Sequence, residues 1–75
     1  MNCSRCEALA WEVETILATI SDLTKEQVAA FKAADMSEFG RLDKALENAM
    51  GVKERSIGAY REHQKIHGVR SLVTV

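Results

Sequence analysis

No proline occurs in the 75 residues, and glycine only four times. Without proline nothing in the chain forces a helix to stop, which favours a few long helices over many short elements. Aromatic residues make up 5%, so any core has to come from leucine, isoleucine, valine, alanine and methionine. There is no excess of charge of one sign. Ten basic residues against eleven acidic ones leave a net charge of −1, which gives no electrostatic reason to expect nucleic acid or an anionic membrane. No apolar run approaches the roughly 18 residues that a membrane span needs. Glu7, Glu12 and Glu14 interrupt any apolar stretch of the kind found in a secretion signal, and the expected location is cytoplasmic.

Cysteine is also scarce, with two residues. In a reducing compartment two cysteines point to a metal or redox pair rather than a structural disulfide. A chain this short forms one domain at most. It buries only about 60% of the surface its unfolded form exposes, and domains of that size lean on a metal, a disulfide or a partner subunit.

Cys6, Leu9, Val13, Ile16, Ile20 and Leu23 alternate spacings of three and four. That is the stripe of an amphipathic helix and not the alternation of a strand. Leu17, Val28 and Phe31 widen and extend it. Thr24 with Gln27 resembles a capping box, but a continuous helix through Ser21–Gln27 is the preferred reading. The stronger turn signal is Ala33-Ala34-Asp35-Met36-Ser37-Glu38, where Asp35 or Ser37 can cap a new helix and Glu38 follows Asp35 by three. Phe39, Leu42, Leu46, Ala49, Met50, Ile57 and Tyr60 form a second stripe, which His63 and His67 continue. Gly68 fits the position just past a helix end. The expectation is an all-α antiparallel helical hairpin in a single domain. A helix of about 4–33, a turn of about 34–36 and a helix of about 37–67 are followed by a tail, 68–75. Leu9, Trp11, Val13 and Phe31 read as packing residues. Gly51 and Gly58, seven residues apart, admit either close approach of a neighbouring helix or simple weak spots.

Two residue pairs carry chemistry. Cys3-Ser4-Arg5-Cys6 is a C-x-x-C pair, and His63-Gln64-Lys65-Ile66-His67 is an H-x-x-x-H pair whose imidazoles share one helix face. Each alone is a modest signal, since the histidines also suit a solvated helix end. Together they gain from the arm lengths. Cys6 lies 29 residues before Asp35 and His63 lies 28 after it, while Cys3 and His67 each lie 32 away. A chain reversing there brings the pairs level, roughly 45 Å from the bend at about 1.5 Å per residue. The metal ligands are therefore expected to be Cys3, Cys6, His63 and His67, holding zinc in a closed structural site. Glu7 and Glu62 are candidate acceptors for an imidazole N–H. No catalytic triad, calcium loop or phosphate loop is present, and the chain reads as non-enzymatic.

The pattern Cys-x-x-Cys-x-x-Leu at the start, the Asp-centred turn and Ala-Tyr-x-x-His-x-x-x-His at the end resemble a group of small uncharacterised bacterial two-helix proteins. The resemblance covers residues 3–67 and implies a shape, not an activity. Because two helices bury little, a homodimer completing a four-helix bundle, or docking on a protein partner, is expected. The functional expectation is a zinc-clamped interaction or scaffold module. The alternative is a small thiol redox or metal-responsive switch using Cys3 and Cys6.

Overall fold

The computed structural model describes residues 3–67. Two helices, α1 (Ser4–Lys32) and α2 (Met36–His67), run antiparallel and pack along their whole length. The result is an all-α helical hairpin, as the spacing of the apolar residues implies. It measures 50 × 22 × 15 Å. The tail 68–75 lies outside the described residues.

The half-buried and buried positions follow the three-four alternation closely. On α1 they include Cys6, Leu9, Val13, Ile16, Ile20, Leu23, Gln27 and Ala30; on α2, Phe39, Leu42, Leu46, Ala49, Lys53, Ser56, Tyr60 and His63. Each helix thus turns one narrow seam toward the other. Among the described residues only Leu9, Ala30, Leu42 and Ala49 are buried, and Leu42 alone fully so. The helix α1 runs unbroken through the Ser21–Gln27 stretch. Thr24 does not cap a new helix there; its hydroxyl donates back to the Ile20 carbonyl at 2.8 Å, the local bond by which a mid-helix threonine satisfies itself.

The seam corrects two readings of the sequence and decides a third. Trp11 and Phe31 are not core residues, being 65% and 62% exposed. Trp11 follows Leu9 by two residues, and that offset places it on the far side of the helix. Met50 is 43% exposed for the same reason, and the position facing α1 at that level belongs to Lys53 and Ser56. Gly51 and Gly58 do not receive the other helix. A Cβ at Gly58 would meet nothing within 4 Å, and at Gly51 only the Arg55 guanidinium.

The turn is Ala33-Ala34-Asp35. The Asp35 N–H donates to the Ala30 carbonyl at 2.9 Å and the Ala34 N–H to that of Phe31 at 3.0 Å. This pair of bonds satisfies the orphan carbonyls at the end of α1. It requires left-handed backbone at Ala34, whose φ is 59°. Asp35 then starts α2, its carboxylate accepting the Glu38 N–H at 3.1 Å. Glu38 does not return the bond, because the Asp35 N–H is already engaged. Its carboxylate pairs with Arg41 instead, which holds the Glu38 carboxyl below its usual range. The Phe31 and Phe39 rings meet across the bend with centroids 5.9 Å apart, and Gln27 donates to Asp43 at 3.2 Å.

Alanine in left-handed backbone carries about 1–2 kcal/mol of strain. Ala34→Gly removes it while making the unfolded chain more flexible, which returns about 0.4–1 kcal/mol. The substitution should therefore raise stability by roughly 0.5 kcal/mol, visible as a higher melting temperature by circular dichroism. An unchanged or lower value would contradict this account of the turn.

Candidate metal centre

The open end of the hairpin carries the chemistry. Cys3 is the last residue before α1, with extended backbone (φ −122°, ψ 122°). Cys6 sits in the first helical turn. His63 and His67 occupy the last two turns of α2, with His63 at a seam position opposite the cysteines. The three-four spacing that packs the apolar seam continues into the ligand set, so the cluster forms its final layer.

The four candidate donor atoms, two sulfurs and two ring nitrogens, all lie within 4.8 Å of one another. Cys3 Sγ is 3.3 Å from His63 Nε2, and His63 Nε2 is 3.1 Å from His67 Nε2. The two rings meet edge to face, with centroids 4.7 Å apart. A tetrahedral ion with metal–nitrogen bonds of about 2.0–2.1 Å and metal–sulfur bonds of about 2.3 Å needs nitrogens about 3.4 Å apart. It needs nitrogen and sulfur about 3.6 Å apart, and two sulfurs about 3.8 Å apart. The observed separations are at this scale. Two cysteines and two histidines at these distances can hold a metal ion.

The protonation pattern fits a set waiting for a cation. The hydrogen bond with His63 is the main cause that lowers the Cys3 thiol to about 6. The Cys6 backbone N–H acts in the same direction, although no formed side-chain cap bond closes the helix. Cys6 moves the other way. Partial burial raises it first, and the neighbouring Cys3 sulfur adds to the rise. Two adjacent thiolates are unfavourable without a counter-charge; a divalent cation supplies it, giving a neutral centre with two neutral imidazoles.

Glu7 and Glu62 do not support the imidazoles. The Glu62 carboxylate lies 3.6 Å from the Lys65 ammonium, and no hydrogen bond among the described residues joins either glutamate to a histidine. The Cys3 and Cys6 thiols are free of any disulfide.

A second feature lies a few turns from the cluster. Trp11, Glu12, Thr15, Ile16, Thr19, Val52 and Ser56 line a shallow, mainly apolar groove of about 260 Å³. Its physical cause is the small Ser56 at a seam position, which leaves the space beside Ile16 unfilled. The sequence carried a signal for it, in that Trp11 and Val52 fall off the stripes that pack the hairpin.

No family model, curated protein or solved structure matches this chain. The resemblance to two-helix proteins therefore reduces to the pattern itself, a C-x-x-C and an H-x-x-x-H pair brought close together.

With any metal removed by chelation, iodoacetamide at pH 7 should alkylate Cys3 before Cys6, because Cys3 is then largely thiolate and Cys6 is not. Labelling of Cys3 should fall as the pH drops through about 6, and Cys6 should respond only in alkaline medium. His63→Ala should remove the advantage of Cys3. Equal rates in the parent protein, read by peptide mass mapping, would show that the thiol–imidazole contact does not act in solution.

Proposed function

We propose that this chain is a non-enzymatic zinc-binding helical hairpin that serves as a cytoplasmic protein-interaction or scaffold module. The observation that carries the reading is the convergence of four donor atoms within 4.8 Å at the end of the hairpin opposite the bend. Two thiolates and two imidazoles suit zinc in both softness and geometry. Four protein ligands fill a tetrahedral shell and leave no position for water or substrate, so the site is structural.

The energetics favour a clamp. A hairpin with four buried residues among those described has little core to resist fraying at the end away from the bend. Structural zinc contributes on the order of 10 kcal/mol in small domains, more than such a core supplies alone. The clamped hairpin then presents exposed apolar side chains on a stiff, coiled-coil-like rod. Surfaces of that kind are used to bind other proteins. No helix among the described residues is long and apolar enough to cross a membrane, and the near-neutral charge disfavours nucleic acid as partner.

A second reading is a thiol switch, favoured by the lowered Cys3 thiol and the nearby Cys6 sulfur. In that reading a mild oxidant joins the two sulfurs and metal is secondary.

Native mass spectrometry should find one zinc per chain, and a chelator should remove it with loss of helicity. His67→Ala should weaken zinc binding by more than the 10–100-fold typical of losing an outer hydrogen-bond partner of a ligand. It should also lower the melting temperature. Arg61→Ala, an exposed basic residue on the same helix end, should do neither. A metal-free chain that is equally helical, with thiols that cycle under mild oxidant, would reject the clamp in favour of the switch.

A further inference from the structure

The two sulfurs of the cluster come from one arm of the hairpin and the two imidazoles from the other. Cys3 and Cys6 stand at the start of α1, His63 and His67 at the end of α2. Every bond by which a bound ion holds α1 therefore runs through sulfur. Chemistry that consumes the sulfurs as a pair removes the whole of that hold at once.

The pair is placed for such chemistry. Its Sγ atoms lie within 4.8 Å of each other, and a disulfide brings sulfurs to about 2.0 Å. Cys3 precedes the helix with extended backbone. Its ψ and χ1 can turn without disturbing its carbonyl, which accepts the Glu7 N–H at 3.0 Å. Both thiols are free and half-buried, within reach of a small oxidant. The imidazoles say that the sulfurs work at an ion and not as a nucleophile with a base. A chain of nucleophile, base and orienting group engages the two ring nitrogens of the base in turn. Here Cys3 Sγ and His67 Nε2 both meet the same nitrogen, His63 Nε2, at 3.3 and 3.1 Å.

Little else holds this end of the rod. Among the described residues α2 buries no side chain beyond Ala49, and at the same end α1 buries only Leu9. The other end keeps Ala30, Leu42, the Phe31–Phe39 contact and the bond from Gln27 to Asp43. A disulfide between Cys3 and Cys6 cannot stand in for the ion. It joins residues three apart at the start of one helix and makes no bond to α2.

We propose that the centre is an oxidant-released latch: a peroxide converts the two metal-bound thiolates to a Cys3–Cys6 disulfide, frees zinc and lets α2 beyond Ala49 part from α1. The inference rests on the clamp proposed above, and it makes the metal the means of the switch. One thiolate attacks the peroxide, breaking its O–O bond to give a sulfenic acid and hydroxide. The second thiolate attacks the sulfenic sulfur, forming the S–S bond and expelling a second hydroxide. Two electrons pass from the sulfurs to the peroxide. Two neutral imidazoles alone hold the cation weakly, and it leaves. A dithiol reductant returns the electrons and restores the four donors.

The test starts from full-length protein whose zinc content has been read by native mass spectrometry. Hydrogen peroxide is then added beside a zinc-sensing dye. One zinc should be released for each Cys3–Cys6 disulfide found by peptide mass mapping, and dithiothreitol should let the protein take the zinc back. Amide hydrogen exchange beyond Ala49 should quicken roughly tenfold or more, with the residues around the bend unchanged. Chelator alone should give the same exchange pattern, since the hold is lost either way. Zinc retained with reduced sulfurs, at a peroxide dose that oxidises the chelated protein, would overturn the proposal and leave the clamp intact. Disulfides that join separate chains would overturn it as well. Zinc release with unchanged exchange beyond Ala49 would overturn the opening. Protein that holds no zinc before peroxide is added would remove the clamp and the latch together.

Discussion

Everything at the open end of this hairpin is set by the register chosen at the bend. Two backbone hydrogen bonds close α1 on Ala30 and Phe31, Ala34 turns left-handed, and Asp35 begins α2. A turn one residue longer would rotate the second helix by about 100° relative to the first. Lys53 and Ser56 would leave the seam, and so would His63. The arms match because the seam has an unbroken three-four rhythm on both helices, and the donor atoms are simply its last members. Packing and chemistry therefore answer to one geometric rule.

That rule delivers a precise scaffold with little stabilisation of its own. The seam is narrow, includes Gln27, Lys53 and Ser56, and among the described residues buries four side chains. Most helical stability in proteins comes from packing. A metal ion held by the four donor atoms would complement the covalent bend with a cross-link at the far end. The groove lies between the two, nearer the donor atoms than the bend.

Much of this was legible in the residues. The absence of proline, the three-four stripes and the Asp35 turn signal together specify the hairpin, and equal distances from Asp35 single out the four residues whose donor atoms meet. Side-chain placement around each helix was less legible. Trp11 and Phe31 look like core by type, and hydrophobicity alone ignores the 100° step that turns them outward. Met50 continues the second stripe by type, whereas strict alternation gives its level to Lys53, a residue whose polarity hides its position, and Ile57 shares the half-buried face with Ser56. Glu7 and Glu62 are near the histidines in number, but number does not show that Glu62 prefers Lys65 one turn on. The unfilled space beside Ile16 follows from that same substitution of a small polar residue where a large apolar one would close the seam.

The contact between Cys3 and His63 joins residues sixty positions apart. In an unfolded chain, an ion held by one local pair would have to close a loop of that length to recruit the other, at an entropic cost of roughly 3–4 kcal/mol. The folded hairpin has met that cost already through its bend. Capture of an ion by all four donors would therefore be linked to helix pairing, favouring the ordered rod over its opened forms.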